Sequence, residues 1–102
     1  MKLLQLRYIW EISKNNFNIS ATAEKLSTSQ PGISKHVRQL EDELGVEIFE
    51  RKGQQLIQAT PTGAELIKYA GSILSDVTNI KNIALDYQDT SRGSLVLATT
   101  HT

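Results

Sequence analysis

From Leu66 onward the large apolar residues recur as Leu66, Ala70, Ile73, Val77, Ile80, Ala84 and Tyr87, at spacings of 4, 3, 4, 3, 4 and 3. That is a heptad seam held for three repeats, and it commits the segment to one long helix. Pro61 suits a first helical turn and Thr60 and Thr62 suit a cap, so the helix is predicted over residues 61–87. A helix of about 26 residues reaches roughly 39 Å, longer than a domain built from the residues before it. The seam therefore predicts a second copy of the chain, with Leu66, Ala70, Ile73, Val77, Ile80 and Ala84 at a homodimer interface and Tyr8 and Trp10 in support.

The residues ahead of this helix read as a small helical domain ending in a hairpin. Leu3, Leu4, Leu6, Tyr8, Ile9, Trp10 and Ile12 predict a helix over 3–14, stopped by the turn-formers Asn15 to Asn18. Asn18 is a natural N-cap for a short helix on which Ile19, Ala23 and Leu26 share a face. Ser27, Thr28 and Ser29 then interrupt, because their hydroxyls compete for local backbone groups, and Pro31 is tolerated only in a first helical turn. A third helix follows with apolar Ile33, Val37, Leu40 and Leu44, closed by Gly45 as a left-handed cap. Two helices across so short a turn make a helix-turn-helix outline. Residues 48–51 and 56–60 predict strands flanking a turn at 52–55, which is a wing.

The chain has 102 residues, no cysteine, and 11 Lys+Arg against 11 Asp+Glu, for a formal net charge of zero. Disulfides, thiolate chemistry and Cys-based zinc sites are excluded, and the balance counts at first against nucleic acid. By position the charges separate. Residues 25–40 hold Lys25, Lys35 and Arg38 with no carboxylate, and residues 51–64 hold Arg51 and Lys52 with none.

On a helical projection Ile33, Val37, Leu40 and Leu44 fall within about a 60° arc. Gln30, Pro31, Ser34, Lys35 and Arg38 lie on a contiguous arc beside and opposite it. Gln can pair with an adenine edge, Ser with several base edges, and Lys or Arg with guanine or phosphate. Ser27, Thr28 and Ser29 supply phosphate ligands at the helix start, and Arg51, Lys52 and Gly53 of the wing reach the DNA backbone or minor groove. Glu41, Asp42 and Glu43 point in different directions and read as a solvated acidic patch. His36 reads as a seam-edge residue, since neither it nor His101 has a partner at metal-site or catalytic spacing.

Residues 88–93 read as a linker, and 94–99 as a strand apolar on both faces, which needs neighbours from further structure. The chain contains no secretory or membrane-spanning run, so a cytoplasmic protein is the expectation.

These segments resemble the LysR-type transcriptional regulators. The resemblance is carried by Ala23 to Leu26, Ser29 to Lys35, Leu40 to Gly45, Ile48 to Arg51 and Thr60 to Gly63, in the family's order. Thr99 to Thr102, with Lys2, Leu3, Gln5 to Tyr8 and Gly32 to Lys35, is similar to the CysB/Cbl subgroup, activators of sulfur-assimilation and cysteine-biosynthesis genes. The resemblance implies that Gln30, Pro31, Ser34 and Lys35 meet base edges while Thr28, Ser29, Arg38 and Arg51 meet the backbone. His36 departs from the family pattern, where Gln or Arg is common. It further implies that Thr100 and Thr102 bind an acetylserine-type inducer, sulfate or thiosulfate in a longer protein, a tetramer, of which this chain is a DNA-binding piece with no cofactor or metal of its own.

The expected fold is mainly α: a winged helix-turn-helix over 1–60, a long dimerisation helix over 61–87, and over 88–102 a hinge and the first strand of a missing α/β effector domain. The expected function is sequence-specific binding of double-stranded DNA by a transcriptional regulator, not an enzyme. The alternative is a winged-helix and coiled-coil module that recruits protein partners without reading DNA, motivated by the zero net charge and the carboxylates of the third helix.

Overall fold

A computed structural model describes the backbone of residues 1–94 and the side chains of residues 1–88. The elements run α1 (Leu3–Lys14), α2 (Ile19–Lys25), α3 (Gln30–Leu44), β1 (Phe49–Lys52), β2 (Gln55–Ala59) and α4 (Pro61–Ser94).

Most boundaries are made by the residues that suggested them. The Asn18 side chain accepts from Ala21 N at 2.9 Å to start α2. Ser29 Oγ accepts from Gly32 N at 3.1 Å to start α3, with Pro31 in its first turn. Gly45 ends α3 at φ 72°, a conformation that costs a residue without Cβ little. Between α1 and α2 the chain reverses through Asn16 and Phe17, both at positive φ, and Ser27 adopts the same region between α2 and α3. The hairpin turn is tighter than expected. Lys52 pairs with Gln55, leaving only Gly53, at φ 66°, and Gln54 in the turn. A register shift between Glu50 and Arg51 leaves Ile57 outside the pairing and bends the wing.

One core joins the helices to the wing: Ile9 and Ile12 of α1, Ile33, Val37 and Leu40 of α3, Ile48 and Phe49 at the hairpin, and Ile67 and Ala70 of α4. Phe17 stands edge-on to Phe49 at 6.1 Å between ring centroids, tying the α1–α2 turn to the wing. Leu44, expected in the apolar seam, is instead 38% exposed, because it occupies the last residue of α3 before the chain turns away.

The start of α4 shows why its sequence is Thr-Pro-Thr-Gly. Thr60 Oγ1 donates to Glu47 O at 2.7 Å and accepts from Gly63 N at 2.8 Å, so one hydroxyl caps the helix and ties it to the segment before β1. Gly63 lies against Ile48, where a Cβ would come within 1.9 Å of the carbonyl oxygen.

Further along, Ile67, Ala70 and Leu74 are buried in the domain's own core, and the Trp10 ring packs on Gly71 with Lys14 Nζ 4.3 Å from its centroid. This corrects the dimer role expected of Ala70 and Tyr8, which have almost no surface left for a partner, while Leu66 and Trp10 stay partly exposed. Ala70 is 1% exposed, Leu66 is half-buried against the same core, and Tyr8 and Trp10 pack within the chain. A heptad seam does not distinguish a partner from the helix's own domain, and here its first turns meet α1.

The other expected seam residues lie on an open stretch: Ile73, Ile80 and Ala84 are exposed and Val77 half-exposed. The long axis of the molecule is 60 Å against 26 and 19 Å, so the far half of α4 projects from the domain. The helix also continues through 88–94, where the linker was expected. That stretch has no proline and a single glycine, which costs a helix only about 1 kcal/mol relative to alanine. The expected strand at 94–99, with Thr100 and Thr102, lies outside the described residues beyond Ser94. No described helix is long and apolar enough to cross a membrane.

Gly63→Ala must displace backbone rather than a side chain, and is expected to cost about 1–3 kcal/mol of stability. Thr60→Ala, which removes a cap, should cost about 1–2 kcal/mol. Urea unfolding checks both, and a wild-type midpoint for Gly63→Ala would refute the close approach to Ile48.

Candidate nucleic-acid interface

The first three turns of α3 carry the expected contact residues on one outward face. Gln30, Pro31, Lys35 and Arg38 are exposed and Ser34 is half-exposed, while Ile33, Val37 and Leu40 anchor the opposite face in the core. Ser27 and Ser29 are exposed at the helix start and Thr28 is half-buried. Ser29 Oγ accepts from Gly32 N and keeps its own proton to donate to a ligand such as a phosphate.

The wing brings further residues beside this face. Ser34 and Arg38 share a groove with Arg51, Gly53, Gln54 and Leu56, and a wider open groove beyond it is bordered by Gln30, Pro31 and Ser34 on one side and Gln54 and Gln55 on the other. Its remaining wall is the α1–α2 turn, with Asn16, Asn18 and Ser20. Thus Gln30 is joined by amides at 16, 18, 54 and 55 that the sequence pattern did not single out. The available signal was local: Gln54 sits in the hairpin turn and Gln55 beside it at the start of β2, and turn tips face outward.

The electrostatics of the face are simple. Lys35, Arg38 and the exposed Lys52 make no ion pair among the described residues. Two other cations of the carboxylate-free stretches are engaged. Lys25 Nζ lies 3.1 Å from Glu11 Oε1, holding α2 to α1. Arg51, expected on the DNA backbone, has a side chain only 16% exposed, and its guanidinium grips Glu41 through Nη2 to Oε1 at 2.9 Å and Nη1 to Oε2 at 3.3 Å.

Glu41 itself corrects the reading of residues 41–43 as a solvated patch. It is 6% exposed, and its Oε2 also accepts from Ile48 N at 2.7 Å and Phe49 N at 3.3 Å. Asp42 and Glu43 are exposed as expected. His36 lies at the seam edge, half-buried with its ring edge-on to Tyr8 at 5.5 Å. No group of acidic or histidine side chains that could hold a metal ion occurs among the described residues.

This arrangement, a carboxylate-free polar helix face with a bent hairpin beside it, suits a nucleic acid better than a small molecule, since the wider groove is open and lined largely by uncharged hydrogen-bonding groups and the narrower one adds Arg38. Known proteins resemble the chain that carries it. The family model described as bacterial regulatory helix-turn-helix protein, lysR family, matches residues 3–64.

The HTH-type transcriptional regulator CysB of Haemophilus influenzae is 49% identical over all 102 residues, which cover 32% of that protein. The HTH-type transcriptional regulator cbl of Escherichia coli is 41% identical with the same coverage. The chain thus spans about a third of the length of these relatives. Among solved structures, BenM_DBD in complex with catB site 1 DNA matches with a TM-score of 0.79 and 29% identity, over 88% of this chain and 95% of that one. The match of residues 3–64 takes in every element from α1 to the start of α4, and the chain belongs to the lysR family of bacterial regulatory helix-turn-helix proteins.

Proposed function

We propose that this chain is the DNA-binding part of a transcriptional regulator that reads double-stranded DNA as a dimer, placing the start of α3 in a major groove with the wing on the adjoining backbone or minor groove. The observation that carries this reading is the outward face of Gln30, Pro31, Ser34, Lys35 and Arg38, free of carboxylates and flanked by Lys52 and Gly53 of the wing. Ser27, Thr28 and Ser29 serve as backbone ligands at the helix start. BenM_DBD, whose fold is similar, forms a complex with catB site 1 DNA, and this supports the DNA reading.

The dimer reading rests on the projecting half of α4, where Ile73, Val77, Ile80 and Ala84 continue the 4, 3, 4 spacing on a helix with nothing packed against it among the described residues. Two copies joined there would carry two recognition helices to a two-fold site. The domain division of 1–60, 61–87 and 88–102 keeps its first boundary in this proposal, while the dimerisation helix extends beyond 87. In the longer protein, likeness to CysB and cbl supports control of sulfur-assimilation and cysteine-biosynthesis genes in the cytoplasm, with an acetylserine-type, sulfate or thiosulfate inducer near Thr100 and Thr102 and assembly to a tetramer.

Selecting duplexes from a random pool should return one site with two-fold symmetry. On that site Gln30→Ala should cost on the order of 1–3 kcal/mol and relax preference at one base pair, whereas Lys52→Ala should weaken all sequences alike and lower the salt slope by about one. Equal losses on selected and random duplexes for both variants contradict these roles. Absence of binding even at low salt removes the DNA reading altogether.

Ile80, 66% exposed, gives the matching test of the dimer. Ile80→Asp should halve the sedimentation mass while leaving a folded monomer, and an unchanged mass rejects the α4 interface.

A further inference from the structure

Glu41 follows Ser34 by seven residues, about two helical turns, so it occupies the same face of α3 as the outward polar residues. A bare carboxylate there would repel phosphate. Instead the hairpin folds over it: Ile48 and Phe49 donate their backbone N–H groups to Oε2, and Arg51 closes both oxygens from β1. Charge-assisted bonds of this kind are short and directional, and a bidentate guanidinium fixes orientation as well as distance. The next residue along β1 is Lys52, exposed and unpaired among the described residues, followed by the Gly53 and Gln54 turn that borders the groove with Ser34 and Arg38.

We infer that Glu41 and Arg51 are positioning residues: their ion pair sets the wing against the reading face of α3 and so delivers Lys52 to the DNA backbone, while Arg51 itself touches no phosphate. The inference rests on the DNA reading above and assigns Arg51 a different part in it. Removing Arg51 alone strands a buried carboxylate, which must reach water and release the Ile48 and Phe49 N–H groups. Replacing Glu41 by Gln at the same time keeps an oxygen for those two donors and leaves no charge to desolvate.

The test is the dependence of binding on salt for the 102-residue chain and a mixed-sequence DNA duplex, each neutralised phosphate adding about 0.9 to the slope. Arg51→Met should lower the slope by about one phosphate, because Lys52 no longer reaches the backbone. Adding Lys52→Met to it should lower it no further. The double variant Glu41→Gln with Arg51→Met should return to the wild-type slope.

If Arg51 binds phosphate directly, the slope behaves otherwise. It falls by about two phosphates in Arg51→Met with Lys52→Met, and stays about one phosphate low in the Glu41→Gln double variant. Either result overturns the inference. So does an unchanged slope with less active protein in Arg51→Met, which marks the pair as supporting the fold alone. If Arg51→Met does not fold, the Glu41→Gln double variant decides by itself, its wild-type slope supporting the inference and a slope lower by about one phosphate overturning it. A wild-type chain that shows no salt-dependent binding refutes the DNA reading instead.

Discussion

The Glu41 carboxylate is the point at which helix, hairpin and the outward polar face of α3 become one body. A buried carboxylate is costly unless its oxygens are met by several donors, and here two backbone N–H groups and a bidentate guanidinium meet them. All the donors come from residues 48–51, the stretch that turns the chain out of α3 and into the wing. One face of α3 therefore has two occupants. Its first three turns remain open, and its last turn is covered by the hairpin. The apolar face beneath, with Ile33, Val37 and Leu40, is buried along its length and fixes the rotation of the helix for both.

A second constraint acts through α4. Close approach of backbone and ring requires small residues at two places, Gly63 beneath the Ile48 carbonyl and Gly71 beneath Trp10. Ile67, Ala70 and Leu74 then seat the first turns of the helix on the core, while its remainder extends outward. The direction in which α4 leaves the domain is thus set by the same residues that hold α1 and the hairpin together. Anything that meets the far half of α4 stands in a fixed relation to α3.

How much of this could be read in advance depended on how local the cause was. Asn18, Ser29, Gly45 and Thr60 act on backbone groups within a few residues of themselves, and each capped or closed the element it suggested. The polar and apolar arcs of α3 were likewise legible, because helical periodicity alone places them. Glu41 was not. Its neighbours Asp42 and Glu43 are exposed acids of the same class, and nothing in the run marks which of the three a strand will cover. Ala70 was misread for a related reason: its spacing announced burial but not against what. Residues 88–94 remained helical because weak breakers give way when nothing opposes the helix.

The amino-acid sequence by itself determined the succession of helices, their caps, the hairpin, the carboxylate-free polar face and the family, since these follow from periodicity, cap chemistry and motifs confined to short stretches of chain. The tertiary structure alone decided that Arg51 faces inward to Glu41, that Ala70 belongs to the domain's own core with Trp10 packed at its edge, and which part of α4 is left uncovered. Those outcomes depend on which surfaces meet across ten or more residues of sequence, and the same charge or apolar spacing serves equally well toward solvent, a partner or the chain itself until packing chooses one.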